Sequence, residues 1–260
     1  MLTMVAQAKR ASALFERNVV VYKRLPWNIV SGFFEPVLYL FSIGIGVGAL
    51  VSGTFTVDGE PMSYALFVAP AMMAQSAMSG AMIESAFNLF GKMRYQKLYD
   101  AFLATPVGPN EIAWGELSFA LARGGAYSAA FLVVMAVMDL TTSWWAVLAL
   151  PGALLIGLAF GGLGMAIATF LRSWQDFDYV TGIMYVMFLF SGTFAPIALF
   201  PAWAQWLVQV TPLYHGVELL RGLTTGQVGP GLIGHAVYLA ALAAIGLTIA
   251  SRRMGKLLLK

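Results

Sequence analysis

The sequence predicts an all-α membrane protein with six transmembrane helices. An N-terminal interfacial amphipathic helix precedes them, a short cytoplasmic helix stands between spans 2 and 3, and the fifth segment is broken and partly re-entrant. Three observations carry this expectation. Of 260 residues, 60% are hydrophobic and only 10% are charged, where soluble domains carry about a quarter. The apolar residues fall in runs of about twenty, enough at about 1.5 Å per residue to cross a hydrocarbon core of about 30 Å. The basic residues are sorted: with both ends inside, six crossings place thirteen of the fifteen Lys and Arg on one side, leaving Arg123 within a span and Arg221 outside. That bias sets the orientation, with both termini cytoplasmic, so the net charge of +3 reads as topology and no nucleic-acid partner is expected.

Residues 1–26 form the first unit and 27–260 the six-span domain. In the first, Val5, Ala8, Ser12, Phe15, Val19 and Tyr22 recur every three to four positions, while Lys9, Arg10, Arg17, Lys23 and Arg24 take the other faces. Such a helix lies in the interface, its apolar side among acyl chains and its cations among headgroups. Pro26 ends it and Trp27 is an interface anchor. The first span covers 27–51, with Gly44 and Gly48 as a small-residue face for close helix approach. Residues 52–62 make a polar loop without a basic residue, and the second span covers 63–90.

Lys92–Glu116 is a polar island with Lys92, Arg94 and Lys97 at its start. Within it Leu98, Tyr99, Phe102 and Leu103 have helical spacing, and Thr105-Pro106 stops the helix. The stretch is either a docking knob for a soluble partner or an ordinary cytoplasmic loop with an interfacial helix. The third span covers 111–138, and Trp144-Trp145 open the fourth, which runs to Leu171 with Gly157, Gly161, Gly162 and Gly164 as a smooth packing side. After the turn at 172–176 the fifth hydrophobic stretch starts near Phe177 and is interrupted beyond Ser191-Gly192 by Pro196, Pro201 and Pro212. Short helices are expected at 202–210 and 213–223. They must be packed in protein or sit at the outer interface, because open backbone groups are not tolerated in lipid. The sixth span, 231–250, leads to Arg252, Arg253, Lys256 and Lys260.

The run Leu103-Ala104-Thr105-Pro106-Val107 with Glu111 and Gly115-Glu116, the Ser-Gly-x-Phe-x-Pro-Ile run at 191–197, the Pro-x-Trp at 201–203 and the run at 212–222 together resemble ABC-2 type export permeases. The likeness is to the group with nodulation lipo-oligosaccharide and anthracycline (daunorubicin-type) exporters, and it covers most of the chain from about residue 90 onward. Where that family often has a Glu-Arg-Gly-Thr-like run, Gln96-Lys97-Leu98-Tyr99 stands here. The resemblance implies a permease subunit in a prokaryotic cytoplasmic membrane, working as a homodimer or as a heterodimer with a sister permease, with two separate ATPase chains. ATP and Mg2+ would be bound by those chains and no cofactor by this one. Leu98, Tyr99, Phe102, Leu103, Thr105 and Pro106 are then the ATPase-coupling residues, with Phe15 and Arg17 marking the interfacial helix. The implied cargo is amphipathic: a glycolipid, a lipo-oligosaccharide or a hydrophobic drug.

Charges within spans are candidates for function because burying them in hydrocarbon is costly. They are Glu35, Glu84, Glu116 and Arg123. Counted from the cytoplasmic ends, Glu35 lies roughly 12 Å in, Glu84 and Glu116 about 9 Å, and Arg123 about 18–20 Å. Arg123 therefore finds its carboxylate on another helix, Glu35 or Glu84. The group is either a charge-neutralised helix clamp or a polar vestibule for a substrate headgroup. Met72, Met78, Met187 and Phe190 offer a flexible, polarizable pathway lining, or plain packing. Phe194, Pro196, His215, Glu218 and Arg221 are candidate outer-gate residues, with Glu218 and Arg221 paired at i, i+3.

Other chemistries lack their residues. There is no cysteine, hence no thiolate or disulfide, and the two histidines are far apart in sequence. No nucleophile-elbow serine, His-Glu-x-x-His metal box or Gly-x-x-x-x-Gly-Lys-Ser/Thr loop occurs, so the chain is not expected to be an enzyme or to hydrolyse ATP. The remaining alternative is a proton-coupled secondary transporter of drugs or lipids, using Glu84 and Glu116 as proton sites.

Overall fold

A computed structural model of the chain describes residues 2–24, 34, 36–48, 55–57 and 60–258. Among these the fold is helical apart from one hairpin of three-residue strands, β1 (Phe55–Val57) and β2 (Glu60–Met62), paired antiparallel with Phe55 opposite Met62. The sequence there was expected to be loop only. The dipeptide between the strands is Asp58-Gly59, a favoured two-residue hairpin connection.

Helix α1 spans Leu2–Lys23. A π-helical stretch, Leu40–Val47, packs on the next helix; its Gly44 faces Ala65, and Gly48 just beyond it faces Tyr64, both at ordinary contact distance. Of the expected first span, 27–33, 35 and 49–51 lie outside the described residues, and Glu35 is among them. Helix α2, Tyr64–Arg94, starts where the Ser63 hydroxyl accepts the Leu66 amide at 3.2 Å, satisfying one of the free N–H groups of the first turn. It turns π-helical over Ile83–Asn88 and returns to α-helix. Helix α3, Leu98–Leu103, follows Lys97, whose φ of 47° reverses the chain. Helix α4, Pro109–Val137, opens with proline at its first position and with the Glu111 carboxylate accepting the Gly108 amide at 3.1 Å.

Helix α5, Trp144–Ala168, begins as a 3-10 turn and then becomes the centre of the bundle, touching α2, α4 and the last two helices. Helix α6, Asp176–Leu189, has 14 residues; at about 1.5 Å each it reaches about 21 Å, short of a full crossing. Gly192, with φ of 72°, turns the chain. Two short helices follow, α7 (Ala202–Val210) and α8 (Pro212–Thr225), with Pro201 capping the first and Pro212 opening the second. Helix α8 is sunk into the bundle against α2 and α5, which is how its backbone avoids lipid. Helix α7 instead exposes Trp203, Trp206 and Leu207, an aromatic face suited to the headgroup region. Helix α9, Pro230–Leu258, buries only the stripe Leu239, Ala243, Gly246, Ala250 and Met254.

Four described helices, α2, α4, α5 and α9, are long and apolar enough to cross a membrane. They match expected spans 2, 3, 4 and 6. The glycines of α5 are spread over three partners rather than one side: Gly157 and Gly161 meet α4, Gly164 meets Ser85 of α2, and Gly162 meets α9. At that last contact, a Cβ on Gly246 would lie 2.6 Å from the Gly162 carbonyl carbon and one on Gly162 3.0 Å from the Ala243 oxygen. The two backbones touch, as close small-residue crossings in membranes do.

Candidate functional site

The end of the bundle that gathers α1, the last turns of α2 and α9, α3 and the start of α4 carries most of the Lys and Arg; it is the basic end. Two buried carboxylates organise it. Because α2 runs to Arg94 rather than stopping near residue 90, Glu84 lies roughly 15 Å from that helix end, deeper than counted from the sequence. That extra depth brings it to Arg123 of α4. The two form an ion pair with side chains 3% and 15% exposed. Tyr22 of α1 donates its hydroxyl to Glu84 and accepts from Arg123 at 3.0 Å, while Asn88, one turn along α2, donates to Glu84 at 2.9 Å. Arg123 also donates to the Tyr127 hydroxyl at 2.9 Å, and its guanidinium lies over the rings of Tyr22 and Tyr127. Three elements are thus tied through one neutralised pair. The π-helical stretch of α2 coincides with this site, since both Glu84 and Asn88 belong to it.

Nearer the basic end, Glu116 of α4 is bonded through one oxygen to Lys92 of α2 at 2.6 Å and to Asn18 of α1 at 3.0 Å. Leu14 and Asn18 bury the inner face of α1, and Gly115 of α4 admits it: a Cβ there would lie 2.7 Å from Leu14 and 2.9 Å from the Ala11 oxygen. The expectation that the apolar side of α1 faces acyl chains needs correcting on this face. Leu14, Phe15 and Tyr22 meet α4, with Phe15 and Tyr22 both against the ring of Phe119. Arg17 donates to Asn18 at 3.3 Å and sits 5.6 Å over the Phe102 ring, joining α1 to α3.

Helix α3 is oriented oppositely to a knob that offers its apolar stripe. Tyr99 is fully buried, and Leu98, Phe102 and Leu103 are partly covered, whereas Asp100, Ala101, Ala104, Thr105 and Pro106 are exposed. The apolar residues therefore anchor α3 to the bundle, and the face open to a partner is the small and polar one. Burial raises the Tyr99 hydroxyl well above its ordinary pKa of 10, and the nearby Glu116 charge raises it further. Arg10 of α1 reaches the Pro106 carbonyl and lies 4.0 Å from Glu111, closing the ring of contacts around α3.

At the far end a second cluster forms around α8. Arg221, 4% exposed, pairs with Glu218, donates to the Gly192 carbonyl at 2.8 Å and lies 3.8 Å over the ring of Phe67 in α2. Phe194 packs edge-on against Phe188, and its carbonyl accepts the Tyr64 hydroxyl at 3.3 Å. Pro196 caps the 3-10 turn Ile197–Leu199. The His215 and His235 Nδ1 atoms are 2.8 Å apart, with Tyr238 stacked on His215, so the two histidines distant in sequence are neighbours. The pathway candidates are split. Met72 and Met78 are sealed inside the bundle by neighbouring helices and act as core filling, Met187 is partly covered, and Phe190 is exposed.

Sequence reasoning missed Asn18, Asn88 and Tyr127. Each lies one helical turn from a residue it did single out: Asn18 before Tyr22, Asn88 after Glu84, Tyr127 after Arg123. A polar side chain on the same face as an intramembrane charge was the available signal.

The family model described as ABC-2 type transporter matches residues 10–224. The matched stretch includes both clusters except His235 and Tyr238. Among curated relatives, Nodulation protein J of Rhizobium leguminosarum bv. viciae is 33% identical over 218 residues, 83% of this chain and 82% of that protein. Nodulation protein J of Rhizobium meliloti (strain 1021) is 31% identical over 233 residues, 88% and 86% of the two chains. The protein of the same name from Sinorhizobium fredii is 32% identical over 234 residues, 89% and 87%. With its apolar helices, its broken segment and a match over most of its length, this multi-pass membrane protein belongs to the ABC-2 type transporter family.

Proposed function

We propose that the chain is the permease subunit of an ATP-driven exporter, powered by a separate ATPase chain that docks at the basic end. In this reading the basic end is cytoplasmic, as are both termini, and two permeases, identical or sister chains, enclose the path. The cargo is amphipathic, of the glycolipid, lipo-oligosaccharide or hydrophobic-drug class, in keeping with relatives named as nodulation proteins. ATP and Mg2+ act on the partner chain.

The observation that carries the proposal is α3: a six-residue helix whose apolar side is covered by the end of α2, by α9 and by Arg17 of α1, while its small residues face outward. A push on that face reaches three elements, because Tyr99 lies beside Glu116 of α4, which is itself bonded to Lys92 of α2 and Asn18 of α1. The ion pairs of Glu84 with Arg123 and of Glu116 with Lys92, each joining α2 to α4, support this mechanical role.

The test is association. Ala101→Glu and Ala104→Glu, on the exposed face, are expected to abolish copurification of the ATPase while leaving membrane insertion intact; retained copurification in both refutes the docking face. Labelling of residues 95–105 from only the extracytoplasmic side would refute the orientation.

A further inference from the structure

A titratable pair that the proposed mechanism leaves unused joins α8 to α9. The Nδ1 atoms of His215 and His235 are 2.8 Å apart, and both rings are half-buried. At that distance one ring nitrogen carries the proton and the other accepts it. Tyr238 stacks on His215 with ring centroids 3.8 Å apart, and Tyr214 stands edge-on to both imidazoles. The Tyr238 hydroxyl donates to the Val210 carbonyl at 2.8 Å, which fixes that ring against the end of α7. The first turn of α8 is therefore bonded to α9 through one shared proton between two held rings.

Proton count decides whether this bond exists. With no added proton, one neutral ring donates to the other. With one, the cationic ring still donates to the bare nitrogen of its neighbour. With two, both facing nitrogens carry hydrogen and both rings carry charge, and the contact is lost. The surroundings do not offset that repulsion. His215 lies in the first turn of α8, where the positive end of the helix dipole disfavours a cation. Glu218 acts on His235 but is already paired with Arg221. Helices α5 and α7 have no charged residue, and the charged residues of α2, α4, α6 and α9 lie no farther from the basic end than mid-helix.

We infer that His215 and His235 form an acid-released clasp, which holds α8 of the broken segment against α9 at neutral pH and frees it when both imidazoles are charged. Apart, each imidazole titrates near its ordinary value of about 6.5. Well below that value the released form holds at least one proton more than the closed form, so its share rises about tenfold per pH unit. Helix α8 also carries Arg221, which donates to the Gly192 carbonyl and lies over Phe67. Release at its first turn thus loosens the stretch that contains the candidate outer-gate residues. That the acid acts from the extracytoplasmic face rests on the orientation proposed above; the release itself does not.

The chain has two histidines, so nitrogen-15 histidine labelling of the full-length permease in lipid vesicles reports on this pair alone. At about pH 8, solid-state NMR should show the Nδ1 atoms as close neighbours with one proton between them. At about pH 5 that correlation should vanish and both rings should give imidazolium shifts. A correlation retained in acid, or absent at the higher pH, overturns the clasp. Amide exchange over Gly216–Leu220, corrected for its intrinsic pH dependence, should lose protection about tenfold for one pH unit of acidification below about pH 6. His235→Gln offers His215 a neutral amide that bonds it in either protonation state, and should show no such loss; an equal loss in this variant also overturns the clasp. Neither measurement involves an ATPase or cargo, so failure of the chain to associate with any ATPase would overturn the exporter reading and leave the clasp standing.

Discussion

Removing the Arg123 guanidinium is the most revealing single change at the basic end. Glu84 is 3% exposed and Arg123 15%, so solvent cannot stand in for either partner. In Arg123→Met the carboxylate keeps Tyr22 and Asn88 but has no cation, and breaking a buried pair on one side costs about 3–5 kcal/mol. Glu84→Gln takes the carboxylate from a guanidinium that also donates to Tyr22 and Tyr127, and it should destabilise the bundle as well. The double variant buries no unpaired charge and forfeits mainly hydrogen bonds, at about 1 kcal/mol each, so it should be more stable than either single variant. The expected coupling is at least about 2 kcal/mol. Thermal unfolding of the purified permease measures it; for a chain of this length the single variants should melt roughly 6–20 °C lower. Additivity of the two losses within about 0.5 kcal/mol would refute the clamp, as would a double variant less stable than both singles.

Other consequences follow from the same structure. Gly246→Val should destabilise the bundle by more than about 3 kcal/mol, because the added atoms fall on the backbone of α5 at Gly162; an unchanged melting temperature would mean the crossing is wrong. Arg221→Lys should fail to restore the far-end cluster, since one ammonium cannot serve Glu218, the Gly192 carbonyl and the Phe67 ring together; full stability in that variant would refute the geometry. Asp176 accepts the backbone amides of Arg172 and Ser173 at 2.7 and 3.0 Å, and these bonds hold its carboxyl below the usual range. A lowered pKa means its contribution is present at neutral pH and lost as pH falls through that value. Hydrogen-exchange protection of Arg172 and Ser173 should therefore drop in acid and be absent at all pH values in Asp176→Asn.

Much of the architecture was legible because it follows from periodic burial and from a few strong punctuators. The proline positions located α7 to within a residue and α8 to within two, since Pro201 and Pro212 cannot continue a helix and suit its first turn. Spans 2, 3, 4 and 6 were readable from run length. The hidden part was direction. The stripe of Leu98, Tyr99, Phe102 and Leu103 revealed a helix but not whether it faces a partner or its own bundle, because both would select the same apolar spacing. The answer depended on contacts such as that of Arg17 with Phe102, made across a long stretch of chain. In the same way, α2 extends past its apolar run through Lys92, whose charge suggested a loop; the charge is accommodated by Glu116, a tertiary fact. The meeting of His215 and His235 has no local signature at all.

The touching glycines of α5 and α9 constrain how any such machine can flex. Side chains that interdigitate can trade one rotamer for another and let two rods slide, but bare main chain against main chain has no such slack. These two helices must travel as one stave, and any change of shape between the membrane faces has to be taken up on the opposite flank, where α4 turns against α1.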